Sequence, residues 1–519
     1  MDAQLREKTA WSSREVSRAA TLLISVGALI RVLSFFLSNN SGGDARERMT
    51  LTAGWLRNPV WKLSFDGYPP GHFWLMAAMS KASGNVEIGA RLLSLVLGIA
   101  SLYVVWRLTS AIFGNIAGLF SLAVYCFYTL HIGYSTTSSA EVSYAFFLLL
   151  GLYFFVSYYS YSSEIWRLVL SGLSLSVSES IRYEAWIVFF ALGMISLWYV
   201  IRPDSGTVPN LMTRLRPILA FGVTAGAWPA LMMLYGWRHF GDPFFQVTDT
   251  HRRVAILLSK QPSPFYYQIS LIPVVLFLSL SPFAFMAAIY ALRWCTSSRL
   301  RFAFGAVVVF FASVQLYEIA RGEVVAVARY SISLGTLLAV LSGFGFERFS
   351  QRIWPNQMRR AFLIVVALVF INAGLVLAAS EIPNPASDKF ASISPKLRFP
   401  RRISDVGNYL RAHSSPNDKI VIDNYNYESD VLADAAGLPI FYRDRAYLAS
   451  SRNDMTAAEY IAANHPRFLV YSDRGVFREW LQLSADCSQS AAVDGVQYRC
   501  VHANREYRVY ELTYKNSDL

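Results

Sequence analysis

The sequence "AATLLISVGALIRVLSFFL" (residues 19–37), followed at once by "SNNSGGDARERM" (residues 38–49), decides the fold class of this 519-residue chain. The first stretch is an apolar run that carries one charged residue, Arg31. A helix of about 20 apolar residues is long enough to cross the hydrocarbon core of a bilayer. The second stretch brings two glycines and an acid, Asp44, before a charged segment. The sequence therefore predicts a membrane span that ends in a polar loop with a candidate functional carboxylate.

The composition extends this prediction to most of the chain. Hydrophobic residues make up 54% of the sequence and charged residues only 16%, whereas soluble proteins average about 25% charged residues. Together with the first run, further apolar runs predict a polytopic α-helical membrane protein with about eleven transmembrane helices. These further runs lie near residues 88–111, 114–133, 141–160, 166–181, 185–201, 216–237, 267–292, 302–320, 327–346 and 361–380.

The distribution of basic residues predicts the orientation. Arginine and lysine residues precede the first span and fill alternate loops between spans, which is the pattern of the positive-inside rule. The N-terminus is therefore predicted inside the cytoplasm and the C-terminus outside it. This topology accounts for the net charge of +12, and no basic run or face favours nucleic acid as a partner.

Two regions outside the spans are predicted to form folded structure. The first outward loop, at about residues 39–87, has apolar residues at helical spacing and is expected to form helices at the membrane interface. A linker at residues 385–402 separates the transmembrane domain, residues 1–384, from an extracytoplasmic α/β domain, residues 403–519. The strand-like stretches of this domain are "KIVID" (419–423), "PIFY" (439–442), "RFLVY" (467–471) and "YRVYEL" (507–512).

The four cysteines divide by location. Cys126 and Cys295 lie in or beside apolar runs, where buried or free thiols are expected. Cys487 and Cys500 lie close together in the α/β domain. If that domain is outside the cytoplasm, a disulfide between them is expected.

Ionisable residues gather in the loops that are predicted to face outward. The loops on the other side hold mostly arginines, so the mixture of acids and bases is confined to one face. Ionisable groups at membrane depth are costly, and a function is their default interpretation. The pattern predicts a polar cleft at the outward face, formed from Asp44, His72, Glu141, Arg182, Glu184, His251, Arg252, Arg253, Glu318, Arg321 and Arg329.

Five motifs in these loops resemble the GT-C superfamily of membrane glycosyltransferases. In chain order they are "GGDARERM", "GYPPGHFWLMA", "SSAEVSYAFFLLL", "RYEAW" and "ARYSISLGTLLAVL". Within the superfamily, the sequence is most similar to the branch of bacterial protein O-mannosyltransferases and the lipid A aminoarabinose transferase. The resemblance covers the whole membrane region, and it implies the GT-C fold with a trailing extracytoplasmic domain.

The resemblance also implies a reaction. A glycosyl group would pass from a polyprenyl-phosphate carrier to an acceptor outside the cytoplasm, with inversion at the anomeric carbon. By position, Asp44 matches the family's general base, and a carboxylate that accepts the acceptor's proton contributes about 10²–10⁴-fold to the rate. Many mannosyltransferases carry adjacent Asp and Glu here, whereas this chain has Ala45 after Asp44. A helix-capping role stays open, because Glu47 follows Asp44 in a capping-box pattern.

The leaving lipid phosphate needs cations or hydrogen-bond donors. Arg329 and Tyr330 match the Arg-Tyr position that contacts phosphate in the family, and Arg182 is a second candidate because arginine binds phosphate through two parallel hydrogen bonds. Arg252 and Arg253 are further candidates. The alternatives are a snorkelling helix-end arginine for Arg329 and a solvated basic loop for Arg252 and Arg253.

Four further residues are candidate contacts for the sugar or the acceptor. Glu141 stands where relatives usually carry an Asp, and it is expected to orient the acceptor or tune Asp44. Glu184, with its neighbour Tyr183, is expected to bind sugar hydroxyls, or else to pair with an arginine. His72 is a weaker candidate, for which an interface histidine is the alternative.

This chemistry requires no cofactor, because arginines alone can neutralise a monophosphate; a divalent metal shared by Asp44 and Glu141 stays an open alternative. The expected partners are a polyprenyl-phosphate sugar donor, a lipid, glycan or protein acceptor, and membrane lipids. The expected location is a bacterial inner membrane, with the site facing the periplasm or exterior. Three other functions stay open: an oligosaccharide transferase with a polyprenyl-pyrophosphate donor, a lipid or solute transporter, and a membrane scaffold.

Overall fold

A computed structural model describes most of residues 11–514. It does not describe residues 1–10, 39–42, 61–62, 66–67, 162, 202–210, 261–263, 325, 382–398, 400, 416, 424–431, 434, 439–445, 449–456, 473–476, 478–480, 482, 484–486, 488–489, 494 and 515–519. The chain divides into two compact units. The first comprises Met1–Phe36, Val60–Thr136 and Ala140–Pro395, and the second comprises Leu37–Pro59, Thr137–Ser139 and Lys396–Leu519.

Helices dominate the chain up to residue 381. They are α1 (Ser13–Leu37), α2 (Gly43–Arg57), α3 (Gly71–Ser83), α4 (Val86–Phe113), α5 (Asn115–Cys126), α6 (Thr129–Tyr134), α7 (Ala140–Ser160), α8 (Ile165–Ile181), α9 (Ala185–Ile201), α10 (Leu211–Phe240), α11 (Phe245–Lys260), α12 (Phe265–Ser279), α13 (Pro282–Leu292), α14 (Arg299–Ala320), α15 (Ser331–Ile353) and α16 (Met358–Glu381). Of these, α2 belongs to the second unit. The helices expected in the first outward loop are present as α2 and α3.

Each of the eleven predicted spans coincides with a helix or with two consecutive helices. Within the described residues, seven helices are long and apolar enough to cross a membrane, or eight if the bent pair α12 and α13 is one span. Helices α5 and α9 are apolar but shorter. The protein is an integral, multi-pass membrane protein. The number of crossings and the orientation stay predictions.

Two of the predicted spans are broken, which the apolar runs did not indicate. The run near 114–133 divides into α5 and α6 after Cys126. The run near 267–292 divides into α12 and α13, which are bent by 108°. At this second break Ser281 has a φ of 90°, and Pro282 lacks the N–H that would continue the helix. The second break thus has a backbone cause, which hydrophobicity alone does not reveal.

The two most buried spans lie at the centre of the first unit. The span of α15 is 83% buried and that of α7 is 72% buried, compared with 28% for α1. Helix α15 packs against α13 and α5, and α7 packs against α4 and α8. Candidate residues at the starts of these two helices, Glu141 and Arg329, are therefore held by the best-packed part of the unit.

In the residues that the structure describes, the second unit contains, besides α2, a six-stranded mixed sheet and two helices of at least eight residues. Its elements are α17 (Arg401–His413), β1 (Ile420–Ile422), β2 (Ala446–Leu448), α18 (Ala457–Asn464), β3 (Phe468–Tyr471), β4 (Ala491–Val493), β5 (Val496–Ala503) and β6 (Arg508–Tyr514). The strand order is β2-β1-β3-β6-β5-β4. The pairs β1–β2 and β1–β3 are parallel, and the other pairs are antiparallel.

The predicted α/β character of this region is confirmed. The stretches "KIVID", "RFLVY" and "YRVYEL" contain β1, β3 and β6, whereas "PIFY" lies outside the described residues. Both faces of the sheet are covered, because Ile420 and Ile422 belong to one apolar cluster and Val421 belongs to another. The predicted linker, 385–402, lies mostly outside the described residues, and α17 begins within its last residues.

Cys487 and Cys500 form a disulfide, while Cys126 and Cys295 are buried free thiols. The bridge joins β5 to the residues that precede β4, and it closes a loop with a sequence separation of 13. Such a cross-link stabilises a fold chiefly because it restricts the unfolded chain.

We expect the double variant Cys487→Ser/Cys500→Ser to lower the free energy of unfolding of the second unit by about 3 kcal/mol, the value for a loop of roughly this length. Thermal unfolding of the detergent-purified full chain measures the change. Cys295→Ala, which removes a free thiol, is the matched control and should leave this transition in place. An unchanged transition in the double variant would contradict a stabilising role for the bridge.

Candidate active site

A cleft in the first unit brings together charged and polar residues from four parts of the chain. These parts are the first turn of α7, the connection between α8 and α9, the helix α14, and the start of α15. The cleft is lined by Glu141, Tyr144, Arg182, Glu184, Gln315, Arg329, Tyr330 and Ser333. Five of these eight residues are predicted site residues: Glu141, Arg182, Glu184, Arg329 and Tyr330.

Arg182 lies at the centre of the cleft and is bound by two carboxylates. Its Nε donates to both carboxylate oxygens of Glu184 at 3.1 Å, and its Nη2 also donates to Glu184 Oε1. Its Nη1 donates to Glu141 Oε1 at 2.9 Å. The three side chains are only 13%, 10% and 5% exposed for Arg182, Glu184 and Glu141 respectively. Most of the donor capacity of Arg182 is therefore directed at protein carboxylates.

Glu141 links the two arginines of the cleft. The same Oε1 that accepts from Arg182 lies 3.6 Å from Arg329 Nε. The Arg329 side chain is 25% exposed, which makes it the more accessible of the two arginines. The ring of Tyr330 lies below the Arg182 guanidinium, with 4.6 Å between the guanidinium carbon and the ring centroid. One carboxylate and one aromatic ring thus hold both guanidinium groups at the cleft.

The electrostatic balance keeps Arg182 charged. Burial alone would lower the pKa of its guanidinium, but the neighbouring Glu184 and Glu141 carboxylates raise that pKa well above its ordinary value. Breaking a buried ion pair by removing one partner leaves an uncompensated charge and is strongly destabilising. The Glu184–Arg182–Glu141 group therefore acts as one electrostatic unit.

The chain positions Arg182 through a sharp helix end. Helix α8 stops at Ile181, and Arg182 adopts an extended conformation while its N–H still donates to Ser178 O at 2.9 Å. Near this end, a Cβ on Gly71 would lie 2.8 Å from the carbonyl oxygen of Ser180. A glycine in the "PPGHFW" motif therefore permits close packing of α3 against the end of α8.

The other predicted residues do not line the cleft. His72 is completely buried in the first turn of α3. Tyr183 lies between Arg182 and Glu184, and burial together with the Glu184 carboxylate raises its pKa well above the ordinary range. Arg252 is 74% exposed and pairs with Asp249 at 2.6 Å. The side chain of Arg253 lies outside the described residues.

Comparisons with known proteins show similarity in part of the sequence and in the fold. Residues 68–228 match the family model of dolichyl-phosphate-mannose-protein mannosyltransferases. The structure of ArnT from Cupriavidus metallidurans bound to undecaprenyl phosphate is similar to this chain, with a TM-score of 0.59 and 13% identity. The match covers 94% of this chain and 97% of the ArnT chain. A second similar structure is the oligosaccharyltransferase AglB from Archaeoglobus fulgidus, in complex with an inhibitory peptide and a dolichol-phosphate. Its TM-score is 0.53 and its identity 12%, and the match covers 89% of this chain and 70% of the AglB chain. No curated protein sequence matches the chain.

The chain has the GT-C fold. The resemblance to this superfamily, and within it to the branch of the protein O-mannosyltransferases and the aminoarabinose transferase, is confirmed. The matched family model and the archaeal structure are of enzymes that transfer glycosyl groups.

Three residues that line the cleft were not predicted from the sequence: Tyr144, Gln315 and Ser333. Tyr144 follows Glu141 by three positions on α7, and Ser333 follows Arg329 by four, so helical spacing from a predicted site residue was an available signal. Gln315 is a polar residue within an apolar span, and its Nε2 donates to Tyr330 O at 2.9 Å. A polar residue in a span is itself a signal of function.

The candidate base, Asp44, belongs to the second unit. Helix α2 begins at Gly43, so Asp44 is its second residue rather than the residue before it, and the Asp44 side chain lies outside the described residues. A carboxylate in the first turn interacts favourably with the helix dipole. The position therefore does not fit the predicted N-cap of a capping box, and the general base stays a prediction.

Helix α2 is firmly held within the second unit. Ala45, Met49 and Ala53 lie on one face at helical spacing and are at most 4% exposed. The buried Arg46 donates from Nη2 to the carbonyl oxygen of Leu438, and Ser138 Oγ donates to Ala45 O at 3.0 Å. Helix α2 falls within the predicted transmembrane domain, residues 1–384, whereas these contacts group it with the C-terminal residues.

No group of three or more His, Cys, Asp or Glu side chains is placed to hold a metal ion in the described part of the chain. The Asp44 side chain lies outside that part.

Proposed function

We propose that the protein transfers a glycosyl group from a polyprenyl-phosphate-linked sugar to an acceptor at the extracytoplasmic membrane face, with inversion at the anomeric carbon. The observation that carries this proposal is the cleft of Glu141, Arg182, Glu184 and Arg329 in a GT-C fold. A cation-lined cleft at the ends of membrane helices suits a ligand that is lipid at one end and phosphate at the other.

In this proposal Arg329 contacts the leaving phosphate. Its side chain is the more exposed of the two arginines and lines the cleft. A guanidinium neutralises the charge that grows on the phosphate as the glycosyl bond breaks, and such preorganised charge is a large part of enzymatic rate enhancement. Tyr330 lies beside Arg329 and completes the Arg-Tyr pair that the sequence predicted.

Arg182 has a positioning role in this proposal, because Glu184 and Glu141 occupy most of its donors. It holds the two carboxylates at fixed positions in the cleft. Glu141 and Glu184 are then the groups that bind sugar or acceptor hydroxyls. Of the two predicted phosphate-binding arginines, the geometry favours Arg329.

Asp44 is the general base of the proposed reaction. An acceptor hydroxyl or amine attacks the anomeric carbon, the bond from that carbon to the phosphate oxygen breaks, and the acceptor's proton passes to the carboxylate. The products are the glycosylated acceptor and free polyprenyl phosphate. This role requires an ionised carboxylate near the acceptor, and a helix N-terminus favours ionisation.

Transfer of radiolabelled sugar tests the proposal. The purified protein is incubated with a panel of polyprenyl-phosphate sugars and membrane acceptors, in the presence of a chelator. We expect transfer from at least one donor, with an inverted anomeric centre in the product. Transfer from polyprenyl-pyrophosphate donors alone, or only with added divalent metal, would favour the oligosaccharide transferase instead.

We expect Arg329→Gln to lower kcat/KM for the donor about 10–100-fold, because the loss of one charge-assisted hydrogen bond costs about 1.5–3 kcal/mol. Initial rates at varied donor concentration measure the change. Arg252→Gln is the matched control, because it removes an exposed arginine outside the cleft. Equal effects of the two substitutions would contradict the role of Arg329.

A further inference from the structure

Arg31 is a charged residue buried inside the membrane unit, and the proposed reaction does not use it. It lies in α1 and is 0% exposed. Within the described part of the chain, no carboxylate is among its hydrogen-bond or ion-pair partners. A guanidinium buried without a counter-charge is costly, and in a membrane span it signals a function.

The partners of Arg31 are backbone carbonyls at the end of a helix. Its Nη2 donates to Tyr125 O at 3.2 Å, and its Nη1 lies 3.5 Å from Cys126 O. Nη1 also donates to Gly27 O, one turn earlier in α1, at 3.0 Å. Tyr125 and Cys126 are the last two residues of α5, where the predicted span breaks.

The end of a helix is a favourable place for a buried cation. The last four carbonyls of a helix have no intrahelical partner, and the helix dipole makes this end negative. An arginine that donates to these carbonyls satisfies them and is itself stabilised. Arg31 therefore acts as the cap of α5 at the break.

Arg31 also binds the other side of the break. Its Nη2 lies 3.0 Å from Nδ1 of His131, which is in α6. A guanidinium can only donate, so His131 Nδ1 is the acceptor, and the neutral imidazole carries its proton on Nε2. One side chain thus fixes α5 and α6 relative to each other and to α1.

A second arginine holds the far end of the same segment. Arg91 Nε donates to Thr136 O at 2.8 Å, and Arg91 Nη2 donates to Phe35 O in α1 at 2.8 Å. The chain between Cys126 and Thr136 is consequently tied to α1 at both ends. This segment leads directly into α7, whose second residue is Glu141.

The segment also contacts the opposite wall of the candidate site. A Cβ on Gly335 would lie 2.2 Å from the hydroxyl oxygen of Tyr128, so this oxygen packs directly against the α15 backbone. Tyr128 lies in the break itself, and Gly335 follows Tyr330 by five residues. The segment that Arg31 caps therefore precedes the helix that carries Glu141 and packs against the helix that follows Tyr330.

We propose that Arg31 is a positioning residue of the glycosyl-transfer site: it caps the broken α5–α6 span and so fixes the places of Glu141 and Tyr330. This inference rests on the proposed function, because its catalytic consequence is measured as sugar transfer. The capping itself is a structural claim that can be tested without activity.

Hydrogen exchange of the full-length protein in detergent tests the cap. We compare wild type with Arg31→Met, which removes the donors at similar volume, and with Arg31→Lys, which keeps the charge. Phe113→Ala is the control, because it perturbs a buried aromatic stack with Phe344 at the far end of α4. Arg31→Met should increase the rate of hydrogen exchange within residues 127–136, and Arg31→Lys should increase it by a smaller factor. Phe113→Ala should leave the exchange rate of these residues unchanged.

A double-mutant cycle tests the link to the site. We expect Arg31→Met to lower kcat/KM about 100-fold, the size of effect that a displacement of about 1 Å can cause. If Arg31 acts through Glu141, then Arg31→Met/Glu141→Gln should lose little more than the more damaging single variant. Phe113→Ala should retain the activity of wild type per folded molecule.

Two results would overturn the inference. Unchanged hydrogen exchange in residues 127–136 for both Arg31 variants would contradict the capping role. If the losses in kcat/KM of the two single variants multiply in the double variant, Arg31 does not act through Glu141. If Arg31→Met does not fold, Arg31→Lys and His131→Gln carry the same two tests. A wild type that transfers no sugar overturns the proposed function and the catalytic link, while the exchange data decide the cap separately.

Discussion

Arg182→Met should abolish most sugar transfer and also destabilise the first unit. The substitution leaves Glu141 and Glu184 buried at 5% and 10% exposure without the cation that they share. Removing one partner of a buried ion pair costs about 3–5 kcal/mol. Loss of the positioned charges should lower kcat about 10²–10³-fold, as for other preorganised electrostatic groups. Thermal unfolding and initial rates on the same preparation measure the two effects.

Two further variants separate stability from catalysis at this position. Arg182→Met/Glu141→Gln/Glu184→Gln removes the whole charged group, so we expect it to recover most of the lost stability but none of the activity. Arg167→Met is the matched control, because Arg167 pairs with Glu164 at the other end of α8. Recovery of transfer in the triple variant would show that the charges are not needed for the reaction.

Asp44→Asn should lower kcat about 10²–10⁴-fold, the contribution of a general base. Asparagine has nearly the same size and shape as aspartate, so this substitution removes the base with little change in packing. The donor KM should change little, because the proposed phosphate contact, Arg329, is intact. Single-turnover transfer with a saturating donor measures the effect on the chemical step.

Asp249→Asn is the control for this experiment, since Asp249 forms an exposed ion pair with Arg252 outside the cleft. Its rate should equal that of wild type. Full activity of Asp44→Asn would contradict the catalytic role and leave Asp44 as a residue of the first turn of α2. A loss of activity that is accompanied by unfolding of the second unit would instead assign Asp44 to stability.

The membrane architecture follows largely from the sequence because its driving force is local. Each apolar run that predicted a span is helical, since a chain in lipid must satisfy its own backbone hydrogen bonds. The breaks after Cys126 and before Pro282 were not predicted. At the first break Arg31 contacts the end of α5 from about 95 residues earlier in the chain, and hydrophobic periodicity carries no information on such contacts.

The sequence predicts most of the charged residues that line the candidate site, but not which of them form ion pairs with each other. The charges of Arg182 and Glu184 are two residues apart, so their ion pair is a local feature. The bond from Arg182 to Glu141 joins residues 41 positions apart, and only the packing of α7 against α8 reveals it. This pairing changes the interpretation of Arg182 from a phosphate ligand to a residue that positions two carboxylates.

The second unit was the least predictable region. Strands β2 and β4 have three residues each, which is too short for a period-two pattern to stand out. The grouping of α2 with this unit depends on contacts such as that of Arg46 with the Leu438 carbonyl. Such contacts between distant parts of the chain leave no mark in the composition of either segment.

Photo-crosslinking of a polyprenyl phosphate is the most direct test of the claim that the cleft takes a lipid-linked phosphate. A radiolabelled carrier with a photoreactive group next to the phosphate is irradiated with the purified protein, and labelled peptides are mapped by mass spectrometry. Labelling should fall on the segments that contain Arg329–Ser333 and Glu141–Tyr144, and Arg329→Gln should abolish it while Arg252→Gln should not. Labelling elsewhere that is unaffected by Arg329→Gln would contradict the account.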